Sequence, residues 1–302
     1  MKKRRKAAKR HTGCFFFLAI ACLGLFAFLY LYATPAPQAG TSWQQLDQLT
    51  LTSKSAAVLD RESGQIVYAR GTRRRAPASL TKLMTALVTV ETTSDLEQRA
   101  SLSSQCYSNL IAANAAMAGF APGEAVTIRD LLHGLLLSSG ADAAEALAEF
   151  VSGSEADFVE QMNSCAKALQ LDDTHFTNAW GMDQWGMYST ASDIALLLDA
   201  VLKNDLLRGI LTTPTYCTES GLELSSTLLA CGQDLSLAQG RILGGKTGYT
   251  EAAGLCLASF AEIGGREYIV VTMGADGNHT TSPYHIQDTI VLYNAIGRQL
   301  AH

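Results

Sequence analysis

The chain has 302 residues with 48% hydrophobic content, enough to bury a large core in one or two domains. Residues 1–12 carry seven lysines and arginines and no acid, and because the whole chain has a formal charge of −5, the remainder stands at −12. An acidic body with no basic stripe argues against nucleic acid as a partner.

A long apolar segment follows the basic start. Residues 14–33 are twenty residues without a charge, and a helix of that length spans a hydrocarbon core of about 30 Å. We therefore predict a basic cytoplasmic segment at residues 1–12 and a transmembrane anchor at residues 13–33. A cleaved signal is the alternative, although its apolar region is usually shorter and the cleavage site at residues 31–33 is poor. Either way the rest of the chain is expected outside the cell, membrane-bound by this helix or secreted after cleavage.

A linker rich in Pro, Ala and Gly, residues 34–42, leads into a single exported domain predicted at residues 43–302. Two strands are expected in residues 56–71, and a further helix is expected from Asp142, with Glu145 completing a capping box. The other predicted elements are helices at 76–91, 127–137, 155–171, 189–204 and 284–300 and two strands within 254–275. Strands at both ends with helices between predict an α/β (α+β) fold, in which N- and C-terminal strands form one antiparallel sheet beneath a helical block.

The helix predicted at residues 76–91 carries one lysine where burial is expected. Its apolar residues form one stripe at 3.6 residues per turn, while Ser79 lies beside the stripe and Lys82 lies at its border one turn later. A buried ammonium is costly unless it is paired or neutralised. Lys82 therefore either reaches out of a core helix or is held beside Ser79 for a chemical purpose.

Ser79 and Lys82 are three residues apart, so on a helix the lysine amine can reach the serine hydroxyl. A serine is a weak nucleophile until a base accepts its proton, and a desolvated lysine with a lowered pKa can be that base. The positive end of the helix dipole would stabilise negative charge on the serine oxygen. Taken alone the Ser-x-x-Lys spacing is a weak signal, since a capping serine and a surface lysine are far commoner.

Two further motifs lie downstream. Ser139 occupies the turn "SSGAD" between two predicted helices. The tripeptide Lys246, Thr247 and Gly248 lies on or just before a predicted strand, where glycine permits close approach of a ligand and lysine offers a cation for an anionic substrate end. Each is weak by itself.

Together the three motifs resemble a known family. Ser-x-x-Lys opening a helix, Ser-Gly-x at an interhelical turn and Lys-Thr-Gly on a late strand is the pattern of β-lactamases and penicillin-binding proteins. The stretches "PASLTKLMTA", "LLLSSGADAAEALAE", "YSTASDIALLL" and "GGKTGYTEAAGLCL" are similar to the low-molecular-mass penicillin-binding proteins, the serine-type D-Ala-D-Ala carboxypeptidases of peptidase family S11. The resemblance runs from about residue 56 to the end.

The resemblance implies a β-lactamase/DD-peptidase-like fold and removal of the terminal D-Ala from peptidoglycan stem peptides ending in D-Ala-D-Ala, with β-lactams as acylating inhibitors. It implies no cofactor. It makes Ser79 the nucleophile, Lys82 its proton acceptor and Ser139 the relay toward the leaving amine. The oxyanion hole would use the Ser79 N–H and an N–H just after the third motif. The substrate-binding residues would be Lys246, Thr247 and Gly248.

The chain departs from the family at Ala141, where the family usually has asparagine. This leaves a catalytically weak wall- or penicillin-binding module of the same fold as an alternative. Because Gly140 leaves room beside position 141, restoring the amide by Ala141→Asn is expected to raise kcat/KM by several-fold to about tenfold. A β-lactamase is a further alternative, but it needs a glutamate acting through water, and the nearest comparable run offers only Asp183.

No metal site is expected, because the histidines show no ligand spacing. Those considered are His133, His175, His279 and His285. The five cysteines after the apolar segment match no disulfide framework, and most are expected to be small buried hydrophobes. Trp180 and Trp185 are expected either at a cleft edge or in the core.

Overall fold

The computed structural model describes residues 43–301, apart from the side chain of Gln44. The predicted cytoplasmic segment, membrane segment and linker all lie outside the described residues. Between residues 43 and 301 there is no helix with the length and apolar character needed to cross a membrane.

A five-stranded antiparallel sheet organises the described part of the chain. Its strand order is β2-β1-β9-β8-β7, so strands from the beginning and the end of the domain lie side by side, as predicted. β3 pairs with β4, and β5 pairs with β6, in two short ribbons that the sequence did not indicate. The strands are β1 Ser55–Asp60, β2 Gln65–Arg70, β3 Arg99–Ala100, β4 Val126–Thr127, β5 Thr215–Cys217, β6 Glu223–Ser225, β7 Arg241–Thr250, β8 Gly254–Ile263 and β9 Arg266–Ala275.

Helices cover the sheet and form a block beside it. The helices are α1 Lys82–Thr92, α2 Ser104–Ala112, α3 Ile128–Leu136, α4 Ala141–Ser152, α5 Glu155–Ala168, α6 Ala191–Val201, α7 Asp205–Leu211 and α8 Tyr284–Leu300. α1 contacts α3, α4, α5 and α6 and is buried along most of its length, whereas α8 packs on β8 and β9. The mixed fold, an antiparallel sheet with a helical block, confirms the predicted class. α2 and α7 are short and were not predicted.

The helix starts follow the sequence signals in one case and depart from them in another. Thr127 caps α3, where its hydroxyl accepts the N–H of Asp130, as the capping pattern predicted. The capping box predicted from Asp142 to Glu145 is wrong, because α4 begins one residue earlier and its N-cap is Gly140, which offers no side chain. Asp142 is thereby freed to bind a neighbouring loop.

The cysteines only partly match the expectation of small buried hydrophobes. The five cysteines of the described residues are free thiols, and Cys165 and Cys256 are buried. Cys106 and Cys231 are partly exposed and Cys217 is exposed, so only two of these five cysteines are buried.

Candidate active site

Ser79 and Lys82 meet at the entry of α1. A 3₁₀ turn, Ala78–Thr81, precedes the helix and carries Ser79, and Lys82 is the first residue of α1. The Lys82 amine lies 3.1 Å from Ser79 Oγ and donates to the Trp180 carbonyl at 2.7 Å. Lys82 is 1% exposed, and this burial lowers its pKa to about 7, although the negative charge of Asp142 acts in the opposite direction. An amine with that pKa is poised to exchange a proton near neutrality.

The backbone around Ser79 is tightly enclosed. Ala78 has φ +49°, in the left-handed region, which costs a residue with a Cβ roughly 1–3 kcal/mol and is typical of functional sites. Two glycines approach it closely: a Cβ at Gly181 would lie 2.0 Å from the Ala78 carbonyl oxygen, and a Cβ at Gly248 would lie 3.2 Å from the Ser79 nitrogen. Ser79 is therefore held between β7 and the segment that contains Gly181.

That segment, which we call the 178–182 turn, is wrapped around one amide side chain. Asn178 Oδ1 accepts N–H bonds from Trp180, Gly181 and Met182 at 3.3, 2.7 and 3.1 Å, and its Nδ2 donates to the Met182 carbonyl at 2.9 Å. Asn178 is 6% exposed, so these bonds are shielded from water. Buried polar bonds of this kind hold a turn in one geometry.

A cleft of about 390 Å³ opens over Ser79. No Asp, Glu, Lys or Arg is among the described residues that line it, so hydroxyls, amides, histidines and backbone groups form its polar surface. The lining includes Ser79, Ser139, Thr227, Gln233, Thr247, Gly248, Tyr249, Asn278, His279 and His285. Four of the six site residues indicated by the sequence, Ser79, Ser139, Thr247 and Gly248, thus face one cleft.

Ser139 occupies a strained position between α3 and α4. Its φ is +61° and it is 7% exposed. After it, Asp142 accepts N–H bonds from Ala118, Gly119 and Phe120 at 2.8, 2.9 and 3.1 Å. This single buried carboxylate fixes the loop that approaches the cleft at Ala116.

The room expected beside Ala141 is absent. A Cβ at Gly140 would lie 2.4 Å from Asp142 Oδ1 and 2.5 Å from the Ala118 Cβ, and Ala141 is fully buried. The Ala141 N–H donates to the Ala116 carbonyl at 2.7 Å. The premise that Gly140 leaves space for an asparagine at position 141 is therefore wrong.

Lys246 lies behind the cleft rather than in its lining. It is fully buried, and its amine donates to the Thr247 carbonyl at 2.9 Å. Burial and the nearby charge of Lys82 hold its pKa well below the ordinary value for a lysine. Thr247 faces the cleft, where its hydroxyl donates to the Thr227 hydroxyl at 2.6 Å. Within this tripeptide it is the hydroxyl that is available to a substrate.

The remaining candidates are dispersed. His279 and His285 line the cleft, whereas His133 stacks on Tyr216 with 3.6 Å between the ring centroids. Trp185 is 97% exposed and belongs neither to the cleft nor to the core. Between residues 43 and 301, no cluster of three or more His, Cys, Asp or Glu side chains is arranged to hold a metal ion.

Sequence reasoning missed the 178–182 turn and Thr227. The turn carries a local signal in Asn178 and Gly181, two residue types that favour turns. Nothing in the sequence indicates that the Trp180 carbonyl accepts from a lysine 98 residues earlier. Thr227 carries no signal of its own.

Comparisons with known proteins identify a family and a fold. A family model described as D-alanyl-D-alanine carboxypeptidase matches residues 41–277. The chain is 31% identical over 252 residues to D-alanyl-D-alanine carboxypeptidase DacF of Bacillus subtilis, covering 83% of this chain and 64% of that protein. It is 33% identical over 230 residues to D-alanyl-D-alanine carboxypeptidase DacD of Escherichia coli, covering 74% and 58%. The chain thus spans about six tenths of the length of these relatives.

Among solved structures, the fold is similar to that of the Streptomyces K15 DD-transpeptidase. The TM-score is 0.72 at 26% identity, and the match covers 84% of this chain and 99% of that one.

Proposed function

The chain belongs to the D-alanyl-D-alanine carboxypeptidase family, and we propose that it is a serine enzyme that removes the terminal D-Ala from peptidoglycan stem peptides. The observation that carries the proposal is the 3.1 Å contact between Lys82 Nζ and Ser79 Oγ. Burial brings the pKa of Lys82 to about 7, so a neutral amine is present beside the hydroxyl at physiological pH.

During acylation Lys82 first accepts one proton and then gives one up. Neutral Lys82 takes the Ser79 hydroxyl proton as Ser79 Oγ bonds to the carbonyl carbon of the penultimate D-Ala. The C–N bond to the terminal D-Ala then breaks, and the leaving amine receives a proton from the Lys82 ammonium through the Ser139 hydroxyl. Water hydrolyses the resulting ester and regenerates Ser79. A β-lactam would follow the same first step, its ring amide taking the place of the peptide bond.

The developing oxyanion would be bound by two backbone N–H groups, those of Ser79 and Tyr249. The absence of a side chain at Gly248 supports this assignment, because a Cβ there would lie 3.2 Å from the Ser79 nitrogen and crowd the space. β7 is the last strand in the sheet order, so an extended peptide could add to its free edge.

The terminal carboxylate of the substrate would contact threonine hydroxyls in the cleft and not the lysine amine behind them. The Thr247 and Thr227 hydroxyls line the cleft together, while the Lys246 amine lies behind them on the Thr247 carbonyl. We infer that Lys246 assists anion binding through β7 rather than by direct contact. This revises the role that the resemblance gave it.

The test is release of D-alanine from a peptide ending in D-Ala-D-Ala, with the same peptide ending in D-Ala-L-Ala as the control. Wild type should release D-alanine from the first peptide, and Ser79→Ala should release none. No turnover and no β-lactam adduct in wild type would favour a wall-binding module. A β-lactam adduct that hydrolyses within seconds would favour a β-lactamase. Asp183, the nearest candidate for the required acid, binds Thr250 and Ala252 and does not line the cleft.

We further propose that residues 14–33 anchor the protein in the cell membrane with its catalytic domain outside. Their charge-free length and the preceding basic residues support this orientation. Membrane fractionation with protease treatment of intact cells tests it: degradation of a membrane-bound protein from outside is expected. A mature protein starting near Thr34 would show that the segment is a cleaved signal.

A further inference from the structure

A second cavity, of about 580 Å³, lies against the 178–182 turn. It is separate from the substrate cleft, with no lining residue in common. Its walls come from α2, α4, the start of α5 and the turn itself, and among its lining residues are Cys106, Glu145, Glu149, Glu155, Asn178 and Trp180.

Two carboxyl groups in this wall lie against each other. Glu145 is 7% exposed, and its carboxyl group interacts with the Glu155 carboxyl and with the Trp180 indole. Glu155 Oε1 accepts the Ala179 N–H at 2.9 Å. Two charged carboxylates repel each other and burial disfavours both charges, so the contact is stable only while one of them carries a proton. Glu145 and Glu155, which we call the carboxyl pair, therefore hold one proton between them.

No basic side chain neutralises the carboxyl pair. Glu149, on the same helix, binds the Cys106 thiol of α2 at 3.1 Å, and no ion pair among residues 43–301 includes Glu145, Glu149 or Glu155.

The charged groups of neighbouring elements are engaged elsewhere. In α3, Asp130 binds the Tyr216 hydroxyl and His133 stacks on the same ring. Arg99 of β3 pairs with Glu219. In α1, the Lys82 amine donates to the Trp180 carbonyl. Asp183, in the cavity wall, accepts hydrogen bonds from the Thr250 hydroxyl and the Ala252 N–H.

The 178–182 turn lies between the carboxyl pair and the reacting groups, Ser79 and Lys82. The Trp180 carbonyl accepts from Lys82 at 2.7 Å, and the Ala179 carbonyl accepts from the Thr85 hydroxyl at 2.6 Å. Gly181 packs on the backbone of Ala78 and Ser79. A shift of this turn would displace the proton acceptor and the nucleophile together.

We propose that Glu145 and Glu155 are positioning residues for acylation, which hold the 178–182 turn against Ser79 and Lys82 only while they share a proton. The inference rests on the proposed function, since it concerns the acylation of Ser79. The carboxyl pair touches neither the nucleophile nor the cleft, and it acts through the indole of Trp180 and the N–H of Ala179.

The expected consequence is loss of acylation in alkaline solution. Burial and the neighbouring charges of Glu155 and Glu149 raise the pKa of Glu145 to about 8. Below that pH the pair keeps its proton and the turn is held. Above it both groups are charged, they repel each other, and the turn loses its support. Lys82 has a lower pKa, so the neutral fraction of its amine increases over the same pH range. Titration of Lys82 therefore cannot cause a fall in the acylation rate.

The test is the second-order rate constant of Ser79 acylation by a labelled penicillin, measured from pH 6 to 9.5 in the full chain. Glu145→Gln and Glu155→Gln each replace one carboxyl by a neutral amide that can still bond to the other. Glu160→Gln is the matched control, because Glu160 is an exposed carboxylate on α5. Thermal melting at each pH verifies that the variants remain folded.

Wild type and Glu160→Gln should lose roughly 15-fold in rate between pH 8 and 9.5, because the protonated fraction of a group with a pKa near 8 falls by that factor. Both carboxyl-pair variants should keep their rate. An alkaline fall that persists in a folded Gln variant, or a wild type with no such fall, would overturn this inference and leave the proposed function intact. No acylation of wild type at any pH would overturn the proposed function and this inference with it.

Discussion

Replacing Lys82 by methionine should make the protein more stable while abolishing acylation. Methionine keeps the length of the buried side chain and removes the amine. Lys82 is 1% exposed, and burial lowers its pKa from 10.5 to about 7. A group whose pKa is lowered on folding binds fewer protons in the native state than in the unfolded state. Lys82 therefore destabilises the folded protein by its full amount below pH 7, and this destabilisation decreases as the pH rises from 7 to 10.5.

The size of the effect follows from the shift. At about 1.4 kcal/mol per pKa unit, native Lys82 costs roughly 4 kcal/mol of stability at pH 7 and almost none at pH 10.5. Methionine cannot donate to the Trp180 carbonyl, which loses its 2.7 Å bond; an unsatisfied buried acceptor costs about 1–3 kcal/mol. The variant should thus be more stable than wild type by about 1–3 kcal/mol at pH 7 and less stable by about the same amount at pH 10.5.

Urea unfolding followed by circular dichroism at several pH values between 7 and 10.5 measures this difference. Lys54→Met is the control, since Lys54 is half exposed and surface substitutions usually change stability by no more than about 0.5 kcal/mol. A stability difference between wild type and Lys82→Met that does not change with pH would refute the reasoning, because it would mean that Lys82 keeps its ordinary pKa in the folded protein.

Three further substitutions test the surroundings of Ser79. Gly181→Ala should slow penicillin acylation at least tenfold and lower the melting temperature, because its φ of +88° and the 2.0 Å approach to the Ala78 oxygen leave no place for a Cβ. Ala141→Asn should destabilise the protein by about 1–3 kcal/mol in urea unfolding and should not raise D-alanine release, because position 141 is fully buried beside the crowded Gly140. Asp142→Asn should move the acidic limb of the acylation profile to lower pH, because the Asp142 charge raises the pKa of Lys82; a limb that moves to higher pH would contradict that role.

The motif residues could be predicted because each motif is local. A spacing of three on a helix already places Lys82 one turn from Ser79, and the residues after Gly248 already place Lys246 on or just before a strand. The periodicity of the long elements likewise sufficed for the antiparallel sheet and the helical block.

The surroundings of the motifs could not be predicted, because they depend on contacts between distant parts of the chain. Lys82 bonds to Trp180, 98 residues away, and Asp142 bonds to Ala118, 24 residues away. The capping interpretation of Asp142 failed because the loop at residues 118–120 competed for the same carboxylate and offered it three N–H donors. Burial of Lys246 behind Thr247 likewise depends on packing that a tripeptide does not encode.

The central claim is that Ser79 is an acylated nucleophile activated by Lys82, and mass spectrometry of the protein after exposure to benzylpenicillin tests it most directly. We predict one adduct per chain, located by peptide mapping on Ser79, and no adduct on folded Ser79→Ala or Lys82→Met. Stoichiometric labelling of Ser79→Ala, or an adduct mapped to another residue of the wild-type protein, would contradict the account.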